Sequence, residues 1–172
     1  MVTIKLIIIK IIYKMFFVGR ALVFQLLKRL ITMKFPDIQW ISTKELAQWL
    51  EDPAQLKPIL LDARTEAEYT VSHLKAAQRI DPKVPDCAAF EEIAFDQPVV
   101  VYCSVGYRSA GVVQKLQEAG FHHVYNLEGS IFKWANENRP IFKEGLPAQL
   151  VHPYDAFWGK LVECRCRAAI DY

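Results

Sequence analysis

From Pro98 to Cys103 the chain reads Pro-Val-Val-Val-Tyr-Cys, with no charged side chain and no polar alternation. A short apolar run rich in β-branched residues is a strand, and a strand without alternation has to be covered on both faces. That requires helices on both sides of a mostly parallel sheet, joined by right-handed crossovers. The neighbouring sequence supplies both kinds of element. Ile38–Ile41 reads as a short strand, and Ser42-Thr43-Lys44-Glu45 is a capping box opening a helix with Leu46, Trp49 and Leu50 on one face. That helix stops near Asp52-Pro53. Pro58–Asp62 is a buried strand. Thr65-Glu66-Ala67-Glu68 is a second capping box, whose short helix ends near Ser72-His73. Ala77–Ile80 is a further strand, residues 81–86 a loop and Cys87–Ala94 a helix. After the apolar run, Arg108–Ala119 is helical with Gly120 in the stop position. His123–Leu127 is a strand, and Ser130–Asn138 a last helix before Pro140. The fold class is therefore α/β, an open parallel sheet flanked by helices on both faces, over residues 36–142.

A chain of 172 residues has room for one such domain and an appendage. The appendages differ in kind. Residues 143–172 hold Pro147, Pro153, Tyr154, Phe157 and Trp158 and show no clear periodicity, so they read as an irregular aromatic tail. Its aromatics are expected to cover an apolar surface of the same domain or of a second subunit.

The head, residues 1–34, is apolar and basic. Lys5, Lys10, Lys14, Arg20, Lys28, Arg29 and Lys34 have no acidic residue among them, whereas the rest of the chain carries a net charge of −5. A mildly acidic body of this kind does not look like a nucleic-acid binder. A transmembrane helix needs about 18 apolar residues with few charges, and the longest charge-free stretch in the head is Ala21–Leu27. Arg20 interrupts the only block resembling a signal sequence, and no serine precedes Ser42, against a transit peptide. The basic positions spread over roughly 240° of a helical wheel, so no clean amphipathic stripe marks them. Three readings stand: contact with an anionic membrane surface, a poor membrane or signal segment, or a segment with no working part in the protein. The third leads, because Met33 precedes the first ordinary sequence. A chain beginning there is expected to fold and to keep its activity.

In an open parallel sheet, ligands bind beyond the carboxyl ends of the strands. Cys103 stands there, followed by Ser104-Val105-Gly106-Tyr107 and then Arg108 at a helix start. A thiol in a nest of backbone N–H groups, at a helix N-terminus and beside an arginine, is stabilised as thiolate. Cys103 is thus the candidate nucleophile. Gly106 lets the loop take a conformation other residues resist. The remaining cysteines, Cys87, Cys164 and Cys166, lack this setting. Four cysteines are too few for a disulfide framework and point to free thiols in a reducing compartment, the cytoplasm. Cys164-Arg165-Cys166 supplies only two of the four sulfurs or imidazoles a zinc site needs, and reads as an exposed, incidental pair.

The segment PVVVYCSVGYRSA resembles the active-site segment of the rhodanese-like sulfurtransferases. Upstream, LLDARTEAEYTVSHLKAA resembles the first signature of that family, and downstream NLEGSIFKWANENRPIF resembles its closing segment. The resemblance covers about Ile38 to Phe142. It departs at Ser72-His73-Leu74-Lys75-Ala76-Ala77, where Gly-His-Ile-Pro-Gly-Ala is usual, and at Ser130, which replaces the usual second glycine of the closing motif. It implies a rhodanese-like sheet, persulfidation of Cys103, and an anion-cradling loop made of Ser104, Val105, Gly106, Tyr107 and Arg108. Asp62, Arg64, Glu68 and His73 also match family positions. They are expected to form a buried salt-bridge and turn network supporting the loop, with direct help at the site as the alternative. Arg108, read as a surface-facing residue, is expected to matter to turnover more than to folding.

The implied activity moves sulfane sulfur from a small-molecule donor such as thiosulfate to cyanide or a thiol, with no metal or organic cofactor. Two alternatives compete. A sulfur-carrying or partner-binding module would use the same cysteine without turnover. A phosphatase or arsenate reductase would use a similar Cys–Arg loop, but with five residues between the two where this chain has four.

Overall fold

The computed structural model of the protein describes residues 19–83 and 95–170, so the helix expected over Cys87–Ala94 lies outside the described residues. The described residues begin with a helix over residues 19–34 (α1). There follow β1 (Gln39–Ile41), α2 (Thr43–Glu51), β2 (Ile59–Asp62), α3 (Glu66–Val71), β3 (Gln78–Arg79), β4 (Val99–Tyr102), α4 (Tyr107–Glu118), β5 (Val124–Leu127) and α5 (Ser130–Asn136). The five strands form one parallel sheet in the order β1-β5-β4-β2-β3.

The apolar run is the centre of this sheet. All four residues of β4 are buried, between β2 on one side and β5 on the other. Successive side chains of a strand point to opposite faces, and β4 shows it. Val100 and Tyr102 join Leu60, Leu127, Ile131 and Phe132 in one core layer. Val99, Val101 and Cys103 join Leu61, Ala110, Val113 and Leu116 in the other.

The helix boundaries follow local chemistry. Ser42 and Thr65 each accept the backbone N–H of the residue three on, Glu45 and Glu68, whose carboxylates accept the N–H of the capping residue in return. Each pair satisfies two backbone donors that a helix start leaves free. At the far end of α4, Gly120 takes φ +98°, a left-handed conformation that ends the helix cheaply only for glycine.

The two appendages are built onto this frame. In α1, Phe24 joins one core layer and Ile31 the other, both buried. Lys28 pairs with Glu128 at 2.8 Å, and Trp40 donates its indole N–H to Thr32 at 3.1 Å. The helix thus lies along the loops that follow β4 and β5. Residues 19–34 are part of the packed body, whereas the leading expectation gave the head no working part. Among the described residues, no helix is long and apolar enough to cross a membrane.

The carboxyl-terminal stretch, expected to be irregular, has local order. Strands β6 (Ile141–Lys143) and β7 (Leu146–Ala148) form a hairpin whose two turn residues, Glu144 and Gly145, both have positive φ. That is the conformation a two-residue hairpin turn of the right twist needs. Beyond it, Val151 and Val162 are fully buried. Leu150 accepts the Ser72 hydroxyl at 2.7 Å, and Asn136 bonds Leu161 and Glu163 at 2.7 and 2.8 Å. The tail therefore packs on the same domain, but of its aromatics only Trp158 packs against a core layer, whereas Tyr154 and Phe157 are exposed.

Candidate active site

Where β4 ends, the chain turns sharply into α4. Gly106 caps that helix with φ +108°, a backbone conformation that any side chain would strain. The loop is held from below. The amides of Ile131 and Phe132 at the start of α5 donate to the carbonyls of Cys103 and Ser104, each at 3.2 Å. The Asn126 side chain donates to the Gly106 carbonyl at 2.9 Å. Ser130 adopts φ +50°, the left-handed region usual for the glycine it replaces, and its hydroxyl accepts the Cys103 amide at 3.1 Å. Strain at Ser130 is thus offset by a hydrogen bond that glycine cannot make. Ala76, the other departure at a left-handed position, has φ +57°.

Cys103 is 1% exposed, and its sulfur faces donors. The Gly106 amide lies 3.1 Å from Sγ and the Ser109 hydroxyl 3.5 Å. Burial pushes the thiol up, but the Arg108 charge, the Ser109 hydroxyl and the Ser109 and Gly106 amides outweigh it. The thiol is held below its ordinary range. Ser109 was not among the residues singled out from sequence. Its place one turn into α4 and on the loop side was the available signal.

In the loop, Gly106 turns its amide to the sulfur and Ser104 its hydroxyl to Glu68, while Arg108 serves both: its charge favours the thiolate and its fork binds Glu68. Arg108 makes two parallel bonds to the Glu68 carboxylate, both 2.7 Å, and a third to the Ser104 hydroxyl at 2.9 Å. Ser104 in turn donates to Glu68 at 2.8 Å. Glu68 is 1% exposed. Burial pushes its carboxyl up, but Arg108, the Thr65 amide and Ser104 bring it down to about 2. The expectation of a surface-facing Arg108 is therefore corrected: the side chain is mostly enclosed, and it neutralises a buried carboxylate. Removing one partner of such a pair strands the other charge. Arg108→Ala should cost about 3–5 kcal/mol of stability as well as raise the Cys103 pKa. Arg108→Lys should recover part of both, because lysine keeps the charge and loses the planar fork. Chemical denaturation together with the pH dependence of Cys103 alkylation checks this. Wild-type stability in Arg108→Ala would show that the ion pair does not support the fold.

Of the four upstream residues, only Glu68 reaches the loop. Arg64 and Asp62 form a wholly buried pair, Nη2 to Oδ2 at 2.6 Å, and Arg64 also donates to the Ser72 carbonyl at 2.6 Å. They tie the turn after α3 to the end of β2. His73 stacks on Tyr69 with ring centroids 4.1 Å apart, and its backbone pairs with Phe142. Its ring stays within the turn.

Above Cys103 is a cavity of about 400 Å³. Cys103, Ser104, Val105, Tyr107 and Arg108 form its floor and one side. Leu27, Leu30 and Ile31 of α1 and Tyr154 and Trp158 of the tail form the rest. The Tyr154 ring lies 5.0 Å from the Arg108 guanidinium. None of these five residues was tied to the site from sequence, since each belongs to an appendage. The other described cysteines lie elsewhere. Cys164 is exposed, but Cys166 is buried in a core layer with its sulfur 3.5 Å from the Ala135 carbonyl, so the two are not an exposed pair. Cys87 lies outside the described residues. Among the described residues, no cluster of His, Cys, Asp and Glu is arranged to hold a metal.

The family model described as "Rhodanese-like domain" matches residues 42–137. The chain is 31% identical over 101 residues to the probable adenylyltransferase/sulfurtransferase MoeZ of Mycobacterium tuberculosis, covering 58% of this chain and 25% of that protein. It is 26% identical over 118 residues to the tRNA uridine(34) hydroxylase of Escherichia coli, covering 66% and 32%. The chain thus spans about a quarter to a third of the length of these relatives. The solution structure of a rhodanese-like domain from Anabaena superimposes with a TM-score of 0.55 at 22% identity, over 62% of this chain and 80% of that one. At that identity the likeness speaks for the fold.

Proposed function

The chain belongs to the rhodanese-like domain family, and on that premise we propose that it is a sulfurtransferase that carries sulfane sulfur on Cys103. The observation that carries this reading is the Cys103 sulfur itself, lowered in pKa, 3.1 Å from the Gly106 amide and at the floor of a cavity. In the first step the Cys103 thiolate attacks the outer sulfur of a donor such as thiosulfate. A bond forms between Sγ and that sulfur, the donor's S–S bond breaks, and its electron pair leaves with sulfite. The persulfide anion is stabilised by the groups that stabilise the thiolate: the Arg108 charge, the Ser109 hydroxyl, and the Ser109 and Gly106 amides. In the second step a nucleophilic acceptor, cyanide or a thiol, attacks the outer sulfur, and the electron pair of the Cys103–sulfur bond returns to the thiolate. A sulfur carrier would complete the first step and deliver only to a bound partner.

The engagement of Arg108 weighs against phosphatase or arsenate reductase chemistry. Its terminal fork, Nη1 and Nη2, is held by Glu68, and Nη2 also binds Ser104, so that fork is not free for an oxyanion.

Incubation of the full chain with thiosulfate, followed by intact-protein and peptide mass spectrometry, tests the proposal. Cys103 should become heavier by one sulfur atom, and cyanide should remove that atom as thiocyanate. Running a small-molecule persulfide beside thiosulfate sorts donors. Extra sulfur on Cys164 or Cys166 instead, or on no cysteine with either donor, would reject the proposal.

A further inference from the structure

The cavity over Cys103 has walls that the family match does not supply. Leu27 and Ile31 come from α1 and Tyr154 and Trp158 from the tail, and all four lie outside residues 42–137. The charges near Cys103 are already matched. The Arg108 guanidinium is bound edge-on by Glu68 and faced by the Tyr154 ring. Lys28 is taken by Glu128. Lys34 is held on the Tyr107 hydroxyl and ring and is not part of the cavity wall. A small inorganic dianion entering here would leave water without gaining an unpaired cation, which is costly. An apolar body would instead bury surface against leucine, isoleucine, tyrosine and tryptophan, with the aromatic pair suited to a flat ring.

We infer that α1 and the tail select the substrate, and that the sulfur donor for Cys103 is an organic sulfane-sulfur compound with an apolar, preferably aromatic, body. Leu27, Ile31, Tyr154 and Trp158 are its specificity-determining residues. This rests on the sulfur-transfer reading above and narrows it. The step balances as before. The Cys103 thiolate attacks the terminal sulfur of an organic thiosulfonate, the Cys103–sulfur bond forms, the donor's S–S bond breaks, and the electron pair leaves with the organic sulfinate. The floor of the cavity receives the sulfur, while the walls receive the organic body.

The test uses the full chain, cyanide as acceptor, and thiosulfate, methanethiosulfonate and benzenethiosulfonate as donors. A free thiol measured beside them sets the intrinsic reactivity of each. The ratio of kcat/KM for the phenyl donor over the methyl donor should exceed the free-thiol ratio by about tenfold or more. Thiosulfate should be the poorest of the three. Trp158→Ala and Leu27→Ala should each pull the phenyl-to-methyl ratio back toward the free-thiol value. A ratio equal to that of the free thiol, or one that neither variant changes, would overturn the inference. If no donor places sulfur on Cys103, the sulfur-transfer reading fails, and the cavity is then read by protection. Benzenesulfinate should slow alkylation of Cys103 more than methanesulfinate or sulfite does. Equal protection by all three would overturn the inference in that case.

Discussion

Cys103→Ser should give a folded protein that transfers no sulfur. The side chain is 1% exposed, and its neighbours are a backbone amide at 3.1 Å and a hydroxyl at 3.5 Å. A serine oxygen has nearly the same shape and accepts the same two hydrogen bonds, so stability should change by less than about 1.5 kcal/mol, as for other volume-conserving replacements. The chemistry does not survive the exchange. The field that holds the thiol below its ordinary range starts, for an alcohol, many units higher, so the hydroxyl stays protonated. An oxygen also forms no persulfide. Loss of a nucleophile costs up to about 10⁶-fold in enzymes that depend on one, so a fall of at least about 10³-fold is expected. Cys164→Ser is the matching control, because Cys164 is exposed and its replacement leaves the core intact. Cys166 is a poorer control, being buried in a core layer. Sulfur transfer by Cys103→Ser at a tenth of the wild-type rate or more would mean that another thiol is the nucleophile.

The sheet and its caps were legible in the sequence because their causes are local. The apolar run of β4, both capping boxes and Gly120 each act within a few residues, and each appears where its chemistry places it. The loop was legible for the same reason: Cys103, Gly106 and the start of α4 are neighbours in the chain. Glu68 was only half legible. Its cap on Thr65 is local, but its carboxylate also holds Arg108 and Ser104, across 40 and 36 residues of chain. Nothing in a capping box announces that second role. Asn126 gave a clearer hint, as a polar residue inside an apolar strand that needs a partner when buried; the Gly106 carbonyl is that partner. In the head, the helical period lies in the apolar residues and not in the basic ones. Basic positions show no stripe, but Phe24, Leu27 and Ile31 recur at helical spacing and face the body. Leu22, Leu26, Leu30 and Met33 are exposed. Apolar residues on both sides of the helix hide the period that either side alone would show.

A chain beginning at Met33 should fold poorly and leave Cys103 unprotected, contrary to what the position of the family signature suggests. Removing α1 withdraws Phe24 and Ile31, each buried to about 5% exposure or less, from the two core layers. At about 1.5–3 kcal/mol for each large apolar side chain, the loss is about 3–6 kcal/mol, before the Lys28–Glu128 pair and the Trp40–Thr32 bond are counted. Domains of this size are stable by about 5–15 kcal/mol in all, so the truncated chain should unfold at a much lower denaturant concentration. The site should change with it. Leu27 and Ile31 line the cavity, and Ile31 approaches to within 3.6 Å of where a side chain at Gly106 would begin. Without them the loop faces solvent, and alkylation of Cys103 should accelerate even under conditions where the truncated chain is folded. Ile31→Ala separates the two effects: it keeps the helix, costs about 2–5 kcal/mol as a core truncation, and opens the cavity at one point. Denaturant unfolding and alkylation rate, measured on the full chain, the Met33 truncation and Ile31→Ala, decide the matter. If the truncation matches the full chain in both measurements, α1 is a passenger on a domain that is complete without it.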